Sequence, residues 1–163
     1  MATASARHKP ESINPVLFNA WRVFIALWYL GGCFIHLQCA LLRPEIYIRF
    51  ARAPLYPLIG RVWTALVMPH ITAFALLLAA FELAIVILLL NKGRAVTLAL
   101  TASLLFNLFL VQLGLGYAAT PGSMQDFVAN RLSNLLFILV QLPLFGVRFD
   151  RSLPDLIRAR IRI

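Results

Sequence analysis

The chain has 163 residues, of which 61% are apolar and 13% charged, with a mean hydropathy of +0.85. Soluble domains carry about 25% charged and 45–50% apolar residues, so the composition argues against a water-soluble globule and excludes a disordered chain or a disulfide scaffold. Fifteen Lys and Arg against six Asp and Glu give a net charge of +9. These basic residues flank long apolar runs, so the charge points to a membrane and not to nucleic acid.

A polar N-terminal segment, 1–14, lacks the pattern of a signal peptide. It leads into a first apolar stretch from Pro15 to Leu42, which from Val23 on carries no formal charge. Crossing a hydrocarbon layer about 30 Å thick takes roughly 20 helical residues, and this stretch is long enough. Between Arg43 and Met68 the prolines Pro44, Pro54 and Pro57 and Gly60 interrupt apolar and basic residues. One or two short interfacial helices are expected here, with Pro69 closing off anything longer.

A second span is expected from Pro69 to Asn91, with Glu82 as its one charge, and a third from Arg94 to Tyr117 with none beyond Arg94. Asn91-Lys92-Gly93 reads as a tight turn joining them. Thr120-Pro121-Gly122 is another turn, and Ser123 with Asp126 fits a capping box opening a fourth span from Met124 to Val147. The remainder, 148–163, sets Leu153, Leu156, Ile157 and Ile161 among Arg158, Arg160 and Arg162. That pattern suits an anionic membrane surface or, equally, a solvated tail. The expected fold is an all-α integral membrane four-helix bundle over 15–147, with a short interfacial segment between the first two spans.

Four crossings put both termini and the 91–93 turn on one side, which holds ten of the fifteen basic residues. The positive-inside rule then makes both termini cytoplasmic, as in a bacterial inner-membrane protein. Tyr47, Tyr56, Trp63 and Tyr117 would mark the outer interface and Trp21 the inner one.

Ionisable residues inside spans are costly and are functional candidates. Glu82, ten residues from Lys92, lies about 15 Å from the cytoplasmic edge at 1.5 Å per residue. Tyr29, Asn107 and Asn134 come out at similar depth, so four spans each offer one polar group to a midplane layer. Arg22, Tyr29 and His36 share one stripe of the first span; Asn130, Asn134 and Gln141 share one of the fourth. On the second and third, Glu82 lies with Ala75 and Ala79, and Asn107 with Ser103 and Gly114, small residues suited to close packing. Gln141 falls below the layer, and Arg131 and Gln112 above it.

Three readings of Glu82 follow: a protonated structural group, a proton carrier or quinone partner, or an ion pair to Arg22 or Arg131 that sets helix register. Arg22 also reads as snorkelling to the inner interface. His36 and His70, both toward the outer edge, form an alternative haem b pair. Cys33-x-x-His36-x-x-Cys39 has metal-like spacing, but its side chains fan apart on a straight helix, so no metal is expected. The two cysteines also lie too far apart for a disulfide.

Phe81-Glu82-Leu83, an apolar run to Asn91-Lys92-Gly93-Arg94, and a third span from Ala95 together resemble the DoxX-like membrane family. Gly31 and Gly32 near Arg22, and Asn134-Leu135-Leu136, are similar in character, so the resemblance covers 16–147. In that family a Lys follows the helix-one glycines, where this chain has His36. The resemblance implies a four-helix membrane protein, some members being small subunits of quinone-linked oxidoreductases, with Glu82 and Arg94 as the matching residues. The expected function is therefore a small subunit of a quinone-linked redox complex, in contact with the bilayer and other membrane subunits. A purely structural subunit and a small proton-coupled transporter are the alternatives.

Overall fold

The computed structural model describes residues 15–161, and the side chains of 16–159; the 1–14 segment and Arg160 and Arg162 of the tail lie outside the described side chains. All regular structure among these residues is helical. Helix α1 spans Pro15–Leu42, α2 Pro57–Leu90, α3 Arg94–Leu113, α4 Met124–Gly146 and α5 Leu153–Ile161. The first four are long and apolar enough to cross a membrane, and only 28–39% of the residues in their most apolar stretches are buried inside the protein. Helices apolar on their outer faces as well as their inner ones suit a lipid environment, because water would penalise that surface.

The second helix departs from expectation. It does not begin at Pro69 but at Pro57, and runs through Pro69 to Leu90. A wide π turn at Trp63–Val67 followed by a tight 3-10 turn at Met68–His70 absorbs the proline. Met68 N–H bonds back five residues to Trp63 O, so the ladder reroutes around the residue that lacks a donor. Of the expected interfacial helices, one forms separately: a 3-10 helix at Pro44–Arg52, hereafter the strap. The third helix stops at Leu113, where Gly114 turns with φ +76° and ψ 166°.

Ser123 Oγ accepts the Asp126 N–H at 3.1 Å, as a capping box requires. The reciprocal bond goes one residue further back, from Gly122 N–H to Asp126 Oδ2 at 3.2 Å. The tail is no free solvated segment, since Leu153 is buried, and Ser152 caps α5 by accepting the Asp155 N–H at 3.2 Å. Ser152-x-x-Asp155 is itself a capping signature that the reading of the tail overlooked. The Ser152 hydroxyl bond to its carboxylate holds the exposed Asp155 below the usual carboxylate range.

Packing follows the chain: α1 against α2, α2 against α3, and α3 against α4. Gly93 N–H donates to Phe149 O at 2.8 Å and Arg22 Nη2 reaches Arg151 O at 3.5 Å, so the start of α1, the 91–93 turn and the 147–151 segment share one end. That end holds the main core, built on Ile25, Ile85, Leu89, Val96, Leu100 and Leu144. The opposite end has a much smaller apolar cluster around Ala40, Tyr47 and Ala75. There the strap packs against α1 and α2.

Candidate functional site

The polar stripes expected from helical spacing face inward. Arg22, Tyr29, Glu82, Ser103, Asn107, Asn130, Asn134 and Gln141 are all buried, and His36 is half-buried. They do not, however, share one hydrogen-bond network. Three separate groupings appear.

The first joins α1, α3 and α4. Asn107 Nδ2 donates to Tyr29 Oη at 2.9 Å, Tyr29 meets Ser103 Oγ at 2.5 Å, and Ser103 donates to Gln141 Oε1. Gln141 Nε2 closes the chain on Phe137 O at 3.0 Å. Since Ser103 gives its proton to the amide, the Tyr29 hydroxyl must donate to Ser103, and every hydroxyl is committed. Such a saturated network fixes helix register. Ser103→Ala should lower stability by about 1–3 kcal/mol, because it strands the Tyr29 hydroxyl and the Gln141 carbonyl in apolar surroundings. Ser103→Thr should cost less; detergent-to-SDS unfolding curves measure both.

The second grouping sits at the strap end. Asp126 Oδ1 accepts Arg131 Nη1 at 2.8 Å and Asn130 Nδ2 at 2.9 Å. Arg131 Nη2 extends to Ala53 O at 2.8 Å. Residues five apart lie on different faces of an α-helix, but Val128–Leu132 forms a π turn, which brings Asp126 and Arg131 together. Asn130 also exchanges two bonds with the Tyr117 backbone.

The third grouping contains Glu82. Its Oε1 lies 3.7 Å from His36 Nε2, and the other imidazole nitrogen, Nδ1, is bonded to Tyr47 Oη. Both ion pairs expected for Glu82 are therefore corrected: Arg131 serves Asp126, and Arg22 lies at the far end of the bundle. There Arg22 stacks 4.7 Å from the Phe149 ring centre and is 0% exposed, so its head is covered by protein and does not reach water. Asn134 is buried beside neither Tyr29 nor Glu82 in any hydrogen bond, and its Nδ2 has no partner among the described residues. His70 is exposed and does not line the cleft into which His36 turns, so the structure does not bring the two histidines together there. Gln112 is exposed as well, folded onto its own helix at Leu108 O. Cys33 and Cys39 are free thiols, and no cluster of three metal-ligating side chains occurs among the described residues.

Glu82 can approach α1 because residue 32 is glycine. A Cβ there would stand 2.7 Å from both carboxylate oxygens. His36 follows one turn later on the same helix. Tyr47 comes from the strap, anchored by Trp63 Nε1 donating to Tyr47 O at 2.9 Å. Burial among apolar neighbours holds the Tyr47 phenol above its ordinary pKa, so at neutral pH it keeps its proton and can donate.

These three groups form one end of a cleft of about 780 Å³ between α2, α3 and the strap. Phe50, Phe81 and Phe106 line it near them, and the remaining walls are aliphatic or aromatic. Size and lining match a small-molecule site, with few polar groups converging on one end of an apolar cavity. The residues that sequence reasoning missed are Tyr47, read only as an interfacial aromatic, and Gly32, noted only as part of a glycine pair. An imidazole bonded to the phenol through Nδ1, with Nε2 3.7 Å from the carboxylate, can hold a proton beside Glu82.

Compared with known proteins, the chain finds no match among family models, curated proteins or solved structures.

Proposed function

We propose that this chain is an integral membrane protein that binds a lipid-soluble quinone in the cleft beside Glu82, as a small subunit of a quinone-linked redox complex. The observation that carries the reading is the polarity of the cleft: about 780 Å³ of apolar space ending in His36, Tyr47 and Glu82. A quinone has the matching form, a flat conjugated ring with two carbonyl acceptors and a hydrocarbon tail. When bound, it supplies two-electron chemistry coupled to two protons. The chain's own part is to hold the ring among Phe50, Phe81 and Phe106, to donate hydrogen bonds from His36 or Tyr47, and to hold a proton at Glu82. The electrons would come from a partner subunit. The resemblance of 81–94 to DoxX-like proteins points the same way, and the excess of Lys and Arg at the terminal end favours a cytoplasmic location for both termini.

Trp63 lines the cleft and serves as a reporter. In protein carrying Trp21→Phe and Trp28→Phe, decylubiquinone should quench Trp63 emission saturably in nanodiscs. Glu82→Gln, which keeps size and removes the acid, should weaken binding about tenfold, or about 1.4 kcal/mol. The wild-type unfolding curve should be retained. Absence of saturable quenching in the Glu82 protein would overturn the reading.

A further inference from the structure

The route into the cleft is written in what surrounds it. Beyond Phe50 and Leu113, which line it, the backbone of residues 49–55 lies directly on the end of α3 and the segment after it. Leu55 N–H donates to Gln112 O at 2.8 Å, and Arg131 Nη2 holds Ala53 O. A Cβ at Gly114 would be 2.6 Å from Ala53 O and one at Gly116 would be 2.3 Å from Arg49 O, so no side chain separates the two backbones. On another side, His36, Tyr47 and Glu82 close the cavity against α1.

The flank is different. Phe74 and Leu77 of α2 and Phe109 of α3 line the cleft and are also exposed on the outside of the bundle, Leu77 at 66%. Leu58 and Val62 of α2 continue this rim and are exposed too. The side opening is thus apolar on every edge named and lies on the faces that suit lipid. Unsealed apolar space in such a position is filled by whatever hydrocarbon lies beside it.

We infer that the cleft is a lateral portal, entered from the acyl layer between α2 and α3, and that it takes a molecule whose head meets His36, Tyr47 and Glu82 while a linear hydrocarbon tail leaves past Phe74, Leu77 and Phe109. This rests on the quinone reading for the head group, and adds to it the tail and the direction of entry. At equal concentration in the lipid phase, tailless duroquinone should bind at least tenfold more weakly than decylubiquinone, because the tail buries apolar surface along the portal.

The test uses the unsubstituted protein in nanodiscs and a benzoquinone whose ten-carbon tail ends in a diazirine. After irradiation, peptide mass spectrometry should find the label on 74–78 and 106–110, and excess decylubiquinone should remove it. Label concentrated on 44–56 would mean that the tail leaves through the strap end, and would overturn the portal while leaving the quinone site standing. If labelling is not displaced by decylubiquinone, the quinone reading fails, and a phosphatidylcholine with a mid-chain diazirine decides the portal alone. Its label on 74–78 and 106–110 supports lateral entry of acyl chains; their absence from the labelled peptides overturns it.

Discussion

Asp126→Ala is expected to lower the stability of the bundle by about 3–5 kcal/mol, the usual cost of removing one partner of a buried ion pair. Asp126 and Arg131 have side-chain exposures of 9% and 6%, so the guanidinium left behind has little water to turn to. The carboxylate also accepts Asn130 and Gly122, and its loss frees the amide that pairs with the Tyr117 backbone. The variant should unfold at markedly lower SDS fraction in mixed micelles. Asp126→Leu combined with Arg131→Met should recover more than half of the loss, since apolar replacement of both partners removes the unpaired charge. A single substitution costing under about 1 kcal/mol would show that water reaches the pair and screens it.

The second large effect is expected at Gly114. Its φ of +76° and ψ of 166° lie in a region that only glycine populates readily, with a cost of about 1–3 kcal/mol for other residues. A Cβ would in addition meet Ala53 O at 2.6 Å, a backbone atom that Arg131 holds in place. Gly114→Ala should therefore destabilise by about 3 kcal/mol or more and lift the strap from the end of α3. Limited proteolysis within 43–56 should accelerate, whereas Gly31→Ala, where nothing lies within 4 Å of the added carbon, should leave it unchanged. Because Gly114 and Asp126 both act through Ala53, their effects should be less than additive when combined. Equal proteolysis rates in Gly114→Ala and the parent chain would show that the strap is held by other contacts.

Much of the architecture was legible from residue order because helices in hydrocarbon must satisfy their backbone groups internally and show apolar runs of fixed length. Four spans, the 91–93 hairpin, the Ser123 cap and the inward polar stripes all follow from local rules of spacing. Pro69 misled for a physical reason. A proline forbids one hydrogen bond, and the chain answered by changing the width of the turns before it, which no propensity scale encodes. The same widening in α4 made a partner of Arg131 out of a residue five positions away.

The candidate site divides along similar lines. Its acid was identified because a carboxylate within an apolar run needs a reason to be there. Its contacts are not legible in the same way, because depth along a helix says nothing of which face another helix presents. Tyr29 and Asn107 do share a level and a hydrogen bond, yet Glu82, at similar depth, turns toward His36. The residue order alone determined how many apolar helices form, where most of them turn and which stripes face inward, since each depends on contacts within a few positions. Only the tertiary structure decided that Glu82 belongs with His36 and Tyr47, that Gly32 makes room for it, and that an open apolar cleft lies beside them. Those facts depend on rotation and separation of whole helices, set by the sum of many packing contacts between distant parts of the chain.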